Sequence, residues 1–151
     1  MANEQASRID RTAVDVSLLL VRVIVGVIFM MHGAQKVFGA FDGPGLAGLV
    51  EKMGPIGYPV AIGEFFGGLG LVVGFLTRFS AASNIVIMIG AIAMVHGKNG
   101  FFSSVGGYEY NLALIGLLLP ILLAGPGRFS IGRFLPLPKS KATGRPLIGI
   151  E

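Results

Sequence analysis

Residues 17–39 read SLLLVRVIVGVIFMMHGAQKVFG and form an apolar run long enough to cross a lipid bilayer as a helix. The run nevertheless carries Arg22 in its body and His32, Gln35 and Lys36 near its end. A charged side chain at the bilayer centre costs roughly 2.5 to 3.5 kcal/mol on insertion scales, so it persists where it faces a partner, a cavity or a site. The stretch therefore predicts a membrane helix that brings polar groups into a bundle interior.

The composition of the whole chain also indicates a membrane protein. Its 151 residues are 53% hydrophobic and 13% charged, with a mean hydropathy of +0.77, whereas soluble domains carry about 25% charged residues. Apolar segments of spanning length cover residues 14–38, 58–76, 78–97 and 107–125. We predict an all-α integral membrane protein, a four-transmembrane-helix bundle, because in lipid a helix satisfies its own backbone hydrogen bonds.

The basic residues predict the orientation of the bundle. Lys and Arg outside the span interiors concentrate on the side that holds both termini, which should therefore be cytoplasmic. Residues 1–13 then form a cytoplasmic tail, residues 14–130 the membrane domain, and residues 131–151 a basic cytoplasmic tail. The residues counted are Arg8, Arg11, Arg78, Arg128, Arg133, Lys139, Lys141 and Arg145 on that side, against Lys36, Lys52 and Lys98 on the other.

Two classes of function are excluded by composition. The chain has no cysteine, so it carries no internal disulfide, thiolate metal site or dithiol exchange chemistry of its own. Its basic residues lie mainly in tails and short loops and are not clustered on a soluble module with interleaved aromatics, so no nucleic-acid partner is predicted.

Two local patterns concern packing. Gly63, Gly67, Gly70 and Gly74 form one narrow stripe, which favours close approach of another helix and would permit a homo-oligomer. Between the first two spans, Asp42 could cap a short helix lying along the membrane interface; its apolar face would hold Leu46, Leu49, Val50 and Met53. An ordinary ordered loop is the alternative there.

A weak internal repeat relates VIVGVIFMMHG, residues 23–33, to IMIGAIAMVHG, residues 87–97, and aligns His32 with His96. This match predicts a tandem repeat of helical hairpins related by an axis along the membrane normal. Chance similarity between apolar helices is the alternative.

The polar residues of the spans are predicted to meet in the outer leaflet. At about 1.5 Å per residue, His32, His96 and Glu109 lie about 27 Å from the inner face and Glu64 about 21 Å. Helical side chains lean toward the helix N-terminus, so His32 should point at Glu64, whereas an Arg22–Glu64 ion pair is the less favoured alternative. Polar residues surround this cluster: Gln35, Lys36, Asn99, Tyr108, Tyr110 and Asn111.

We therefore assign candidate catalytic roles to Glu64, His32, His96 and Glu109, and predict no metal site. The candidate cofactor-binding residues are Arg22, Lys36, Gln35, Asn99, Tyr108 and Tyr110. Other interpretations remain for four of the polar residues: Tyr108 and Tyr110 suit an aromatic belt, and Lys36 and Lys98 suit snorkelling charges.

Four segments together resemble the DoxX family of small bacterial four-helix membrane proteins. They are LLLVRVIVGVIFMMHGAQKVFG, GEFFGGLGLVVGFLTRFSA, VHGKNGFF and GGYEYNLALIGLLL, in that order, and the resemblance covers residues 17–130. It implies a multi-pass protein of the bacterial cytoplasmic membrane, related to the DoxD-type subunit of thiosulfate:quinone oxidoreductase. The matching motif positions include Arg22, His32, Gly33, Lys36, Glu64, Gly67, Gly68, Thr77, Arg78, His96, Asn99, Gly100, Tyr108 and Glu109.

The leading functional hypothesis is a quinone-linked oxidoreductase component. His32 or His96 would donate hydrogen bonds to the quinone, and Glu64 and Glu109 would relay protons. Lys36 or Arg22 would stabilise negative charge on the ring. Because the chain shows no cysteine, nucleotide or iron–sulfur motif, it would need a soluble redox enzyme or a second membrane subunit as electron source.

Three alternatives stay open. The chain could be a non-enzymatic membrane anchor that docks soluble redox enzymes through its basic C-terminal tail. It could be a b-type haem protein with His32 and His96 as axial ligands. It could also be a transporter for a small solute, which four short helices would support only as an oligomer.

Overall fold

The computed structural model describes the backbone of residues 2–134 and the side chains of residues 9–132. Within that range the regular structure is helical. Single 3₁₀ turns occupy several of the connections. The α-helices are α1 (Ala2–Phe38), α2 (Gly45–Met53), α3 (Gly57–Val73), α4 (Thr77–Ala91) and α5 (Glu109–Ala124). The predicted all-α class is therefore confirmed.

The four longer helices run alternately up and down the bundle. We call the end that holds residues 36–57 and 97–108 the upper end, and the end that holds residues 74–77 and 125–132 the lower end. α1 packs along α3, α3 along α4 and α4 along α5, while contact between α1 and α5 closes the bundle. Val25, Phe29, Leu71, Leu118 and Ile121 form the buried centre.

Three helical stretches are long and apolar enough to cross a membrane: Ile9–Phe38, Ala40–Val73 and Thr77–Asn99. The fourth apolar helix, α5, has 16 residues and measures about 24 Å, against a hydrocarbon layer of about 30 Å. The chain is thus a helical membrane protein. The count of four spans and the cytoplasmic location of the termini stay predictions.

The N-terminal part of α1 differs from the expected short tail. The helix begins at Ala2 and continues without a break to Phe38, a length of 37 residues. The secondary structure therefore does not change at residue 14, where the boundary between tail and membrane domain was predicted. Of the predicted C-terminal tail, residues 135–151 lie outside the described residues.

Glycines bring α1 and α3 into close contact. A Cβ atom on Gly26 would lie 2.8 Å from the carbonyl oxygen of Gly68, and one on Gly33 would collide with the backbone of Phe65. Larger side chains would push the helices apart, because these neighbours are backbone atoms that cannot rotate away. This crossing sets α1 and α3 in register at the upper end.

The glycine stripe on α3 packs inside the chain. A Cβ atom on Gly63 would lie 2.7 Å from Ile87, Gly67 faces Asn84, and Gly70 faces Ser80, so α4 covers these three positions. The prediction that this stripe offers a surface for a homo-oligomer is therefore wrong, because α4 of the same chain already packs against it. Close approach of another helix was correctly predicted.

The short helix between the first two spans is present as α2, but Asp42 does not cap it. Asp42 lies in the preceding 3₁₀ turn with φ 57°, and Pro44 occupies the N-cap position without a side-chain hydrogen bond. Of the residues of α2, Leu49 is the buried one.

The predicted repeat has mixed support from the structure. The hairpins α1–α3 and α4–α5 share the same sense, as the repeat requires, but equivalent residues have different surroundings. Gly26 is pressed against Gly68, whereas Gly90 has open space at its Cβ position. The repeat stays a prediction.

Candidate functional site

A cavity of ≈ 920 Å³ lies among α1, α3, α4 and α5 and reaches the α4–α5 loop. Five of the predicted site residues line it, and they come from four helical segments of the upper half of the chain. These are His32 and Lys36 on α1, Glu64 on α3, His96 after α4 and Tyr110 on α5. Residues that lie far apart in sequence thus line one cavity.

Lys36 and Glu64 form an ion pair at the wall of this cavity. The close contact of Gly33 with Phe65 positions them, because Lys36 lies one turn beyond Gly33 and Glu64 precedes Phe65. Glu64 is 3% exposed, and a carboxylate so buried needs a charged or hydrogen-bonding partner. Glu64 was predicted to contact His32. It pairs with Lys36 instead, which lies on α1 together with His32.

His32 has an aromatic neighbour. Its ring packs edge-on against Tyr110 of α5, with the ring centroids 6.3 Å apart and the planes at 62°. Both side chains line the cavity. The contact places an imidazole and a phenol side by side, so α1 and α5 present two hydrogen-bonding side chains to the same space.

A local distortion of α4 positions His96. After Ala91 the helix widens into one π-helical turn, Ile92–His96, and then tightens into the 3₁₀ turn Gly97–Asn99. Nδ1 of His96 lies 2.8 Å from the carbonyl oxygen of Gly106. Because a carbonyl only accepts, Nδ1 carries the hydrogen, and in the neutral ring Nε2 is left as an acceptor.

Two polar residues of the helices that were not among the candidate catalytic or binding residues also line the cavity. Asn111 is 5% exposed, and its amide donates 3.4 Å to the thioether sulfur of Met88, a weak acceptor. Ser83 of α4 also lines the cavity. Asn111 could have been found from the sequence, because an amide side chain within an apolar helix is unusual. Ser83 could not, because membrane helices tolerate a lone serine readily.

Arg22 lies outside the cavity, although it was predicted to bind cofactor. Its guanidinium donates to the carbonyl oxygens of Pro126, at 2.7 Å, and Phe129 in the segment after α5. The side chain is 1% exposed. The less favoured Arg22–Glu64 ion pair is therefore wrong. Arg22 instead links α1 to the segment after α5 at the lower end of the bundle.

The remaining predicted site residues surround the cavity and do not line it. Asn99 donates to the carbonyl oxygen of Gly106 at 3.1 Å, and Tyr108 packs edge-on against Phe101. Glu109 accepts hydrogen bonds of 3.0 Å from both the backbone amide and the hydroxyl of Ser103. These contacts shape the α4–α5 loop, which contributes Ser103, Gly106 and Gly107 to the cavity wall.

Gln35 lies near the end of α1 and packs against the α1–α2 connection. Its backbone packs so closely against Gly43 that a Cβ atom on Gly43 would lie 2.5 Å from the Gln35 carbonyl oxygen. The residue does not line the cavity. Its predicted role as a binding residue has no geometric support.

These features define a helical membrane protein whose upper half places an ion pair, two imidazoles and a phenol on one cavity. The DoxX family profile matches residues 17–97, and that match covers more than half of the chain. The chain belongs to the DoxX family, as the resemblance implied.

Curated relatives come from three bacteria. "Inner membrane protein YqjF" of Escherichia coli is 31% identical over 126 residues, covering 80% of this chain and 93% of the relative. "Putative oxidoreductase CatD" of Bacillus subtilis is 34% identical over 129 residues, covering 82% and 85%. "Uncharacterized membrane protein Rv3486" of Mycobacterium tuberculosis is 28% identical over 138 residues, covering 79% and 81%. No solved structure matches the chain significantly.

Proposed function

We propose that this chain is a quinone-binding oxidoreductase component of a bacterial cytoplasmic membrane, with its quinone site in the cavity. The observation that carries the proposal is the convergence of an ion pair, two imidazoles and a phenol on one mostly apolar space. Two relatives whose names describe an oxidoreductase and an inner membrane protein are consistent with that assignment.

The residues present fit the chemistry of a quinone. The two ring carbonyls accept hydrogen bonds, and the cavity offers donors in the Lys36 ammonium and the Tyr110 hydroxyl. Apolar side chains such as Phe29 and Leu114 complete the lining, as is usual in cofactor sites. When bound, the quinone would supply the redox chemistry, and the protein supplies binding, orientation and charge.

The Lys36–Glu64 pair has two roles in this proposal. The Lys36 ammonium places positive charge at the cavity wall, where it stabilises negative charge on a bound ring. The Glu64 carboxylate accepts and returns a proton. Because Lys36 is the more exposed partner, with 24% of its side chain accessible against 4% for Glu64, the ammonium makes the first contact with the ligand.

His96 suits a second proton-carrying position. Its Nδ1–H is held by the Gly106 carbonyl, so Nε2 is the nitrogen that can take up a proton from the ligand side. The same hydrogen bond fixes the ring on the loop, which limits how far Nε2 can move.

The electron source lies outside this chain in the proposal. A cysteine-free chain has no thiol redox centre, so a soluble enzyme or a second membrane subunit delivers electrons to the site. The basic tail, residues 131–151, is the proposed docking segment, and residues 135–151 of it lie outside the described range.

Quinone content of the purified protein tests the proposal. The protein is extracted from bacterial membranes in mild detergent and purified to homogeneity. Its quinone is then extracted into organic solvent and quantified per chain by chromatography. We expect close to one quinone per chain, lost in Glu64→Gln. The matched control is Glu51→Gln, which removes an exposed carboxylate of α2 and should leave the quinone in place. Trace quinone, equal in all three proteins, would contradict the proposal.

A further inference from the structure

We infer that the ligand of this cavity carries a long apolar chain, which lies in a groove along one face of α4. The cavity does not end at the polar residues. It continues along α4 past Gly90 and Val86 to Phe79, near the start of that helix. This inference rests on the proposed quinone site and specifies the kind of quinone that the site takes.

The groove follows a single face of α4. Four of the α4 residues that line the cavity, Phe79, Ser83, Val86 and Gly90, are spaced by 4, 3 and 4 positions and fall within about 60° on a helical projection. Met94 continues the lining into the π turn. From Phe79 to Met94 the groove is about 22 Å long. It therefore extends over most of the thickness of a hydrocarbon layer of about 30 Å.

The groove is open along its side. Phe79, Val86 and Met94 are 60%, 68% and 58% exposed although they line it. In a membrane helix such apolar exposure faces acyl chains. A molecule dissolved in the bilayer can thus enter sideways, with its ring beside the Lys36–Glu64 pair and its chain against α4.

The size of the space favours the same occupant. Pockets for drug-sized ligands measure roughly 300 to 1,000 Å³, and this one holds ≈ 920 Å³, which is more than a single substituted ring fills. Because the polar end and the apolar groove form one continuous cavity, one amphiphile with a polar ring and a flexible tail fits both parts. A short, water-soluble quinone would leave the groove empty.

Gly90 allows the groove to be blocked without disturbing the bundle. A Cβ atom at Gly90 would meet no other atom within 4 Å, so a larger side chain there would occupy the groove and not its neighbours. Gly116 on α5 has the same open surroundings but does not line the cavity. Gly90→Leu and Gly116→Leu are therefore a matched pair of helix-interior variants.

The test compares two quinones with the same ring in detergent-solubilised, delipidated full-length protein. One is dimethoxy-methyl-benzoquinone without a chain and the other carries a decyl chain; binding is measured by equilibrium dialysis against empty micelles. We expect Gly90→Leu to weaken binding of the decyl quinone by at least about tenfold and to leave the tailless quinone within about twofold. Gly116→Leu should change neither.

The outcomes separate the two proposals. If the unmodified protein binds both quinones and Gly90→Leu changes neither, the groove inference is wrong and the quinone site stands. Equal loss of both would place the effect at the ring and would also overturn the groove. If the unmodified protein binds neither, both proposals fail. If Gly90→Leu melts at a lower temperature than the unmodified protein, Val86→Trp replaces it as the blocking variant. Val86 is an exposed position of the same groove.

Discussion

At the lower end of the bundle a guanidinium is enclosed by backbone, whereas at the upper end an ammonium–carboxylate pair borders a cavity. Arg22 is 1% exposed and donates to carbonyl oxygens of the segment after α5. Lys36 keeps 24% of its side chain accessible while it holds Glu64. A buried charge that donates to fixed backbone carbonyls, away from any cavity, holds the fold together. A buried charge beside open space can also receive a ligand.

Replacing Arg22 should have the largest effect on stability. Arg22→Met leaves the carbonyl groups of Pro126 and Phe129 without their donor, and each hydrogen bond to a charged group contributes about 1.5 to 3 kcal/mol. We expect a loss of about 3 to 5 kcal/mol in the free energy of unfolding, seen as a lower melting temperature in detergent, while the quinone content per folded chain stays unchanged. Quinone loss at full stability would reverse the assignment of the two ends.

Breaking the upper pair should affect binding more than stability. Glu64→Gln leaves the Lys36 charge without its partner, which we expect to cost about 1 to 3 kcal/mol and most of the bound quinone. The double variant Lys36→Met with Glu64→Leu removes both charges, and such apolar replacement of a buried pair is often neutral or stabilising. Thermal unfolding should therefore recover in the double variant while quinone binding does not. Recovery of both would make the pair purely structural.

The two nitrogens of His96 can be separated by substitution. In His96→Asn the side-chain amide matches Nδ1 and can still donate to Gly106, whereas in His96→Gln it matches Nε2 and that hydrogen bond is lost. We expect His96→Gln to lose about 1 kcal/mol of stability and His96→Asn to keep its stability but turn over quinone more slowly with a suitable electron donor. Equal rates in His96→Asn and the unmodified protein would remove Nε2 from the proposed proton path.

The smallest effect should come from the lower surface. Asp15 accepts from the backbone amide of Arg128 at 3.0 Å and lies 3.9 Å from its guanidinium. In Asp15→Asn the side-chain oxygen can still accept from the amide, and exposed ion pairs contribute roughly 0 to 1 kcal/mol. We expect a change of melting temperature that is barely measurable and that shrinks further in high salt. A large loss would show that the lower end depends on more than Arg22.

Periodicity and depth predicted much of this arrangement from the sequence. On α1, Arg22, Gly26, Phe29 and Gly33 lie at the spacing of the helical repeat and are buried, and Lys36, one turn further, is half-buried. Placing Glu64 in the same half of the bundle as the two histidines needed only the rise per residue. These regularities suffice because a membrane helix has fixed geometry and a nearly fixed direction.

What the sequence could not specify were partners outside regular helices. The acceptors for Arg22 are carbonyl groups of an irregular segment, and every residue carries a carbonyl, so residue type gives no signal. The π turn at Ile92–His96 changes the direction of His96 in a way that no residue pattern announces. The glycine stripe predicted close packing, but small residues do not identify the helix that packs there, which proved to be α4.

The bonds of Arg22 also impose an order on biogenesis. Its two acceptors follow it by 104 and 107 positions in the chain, so the ribosome must deliver almost the whole membrane domain before the guanidinium is satisfied. Until then the nascent first helix resides in the translocon or the lipid with an uncompensated cation, at a cost of roughly 2.5 to 3.5 kcal/mol. We therefore expect chains interrupted before Pro126 to keep this unpaired charge and to be removed by membrane quality control.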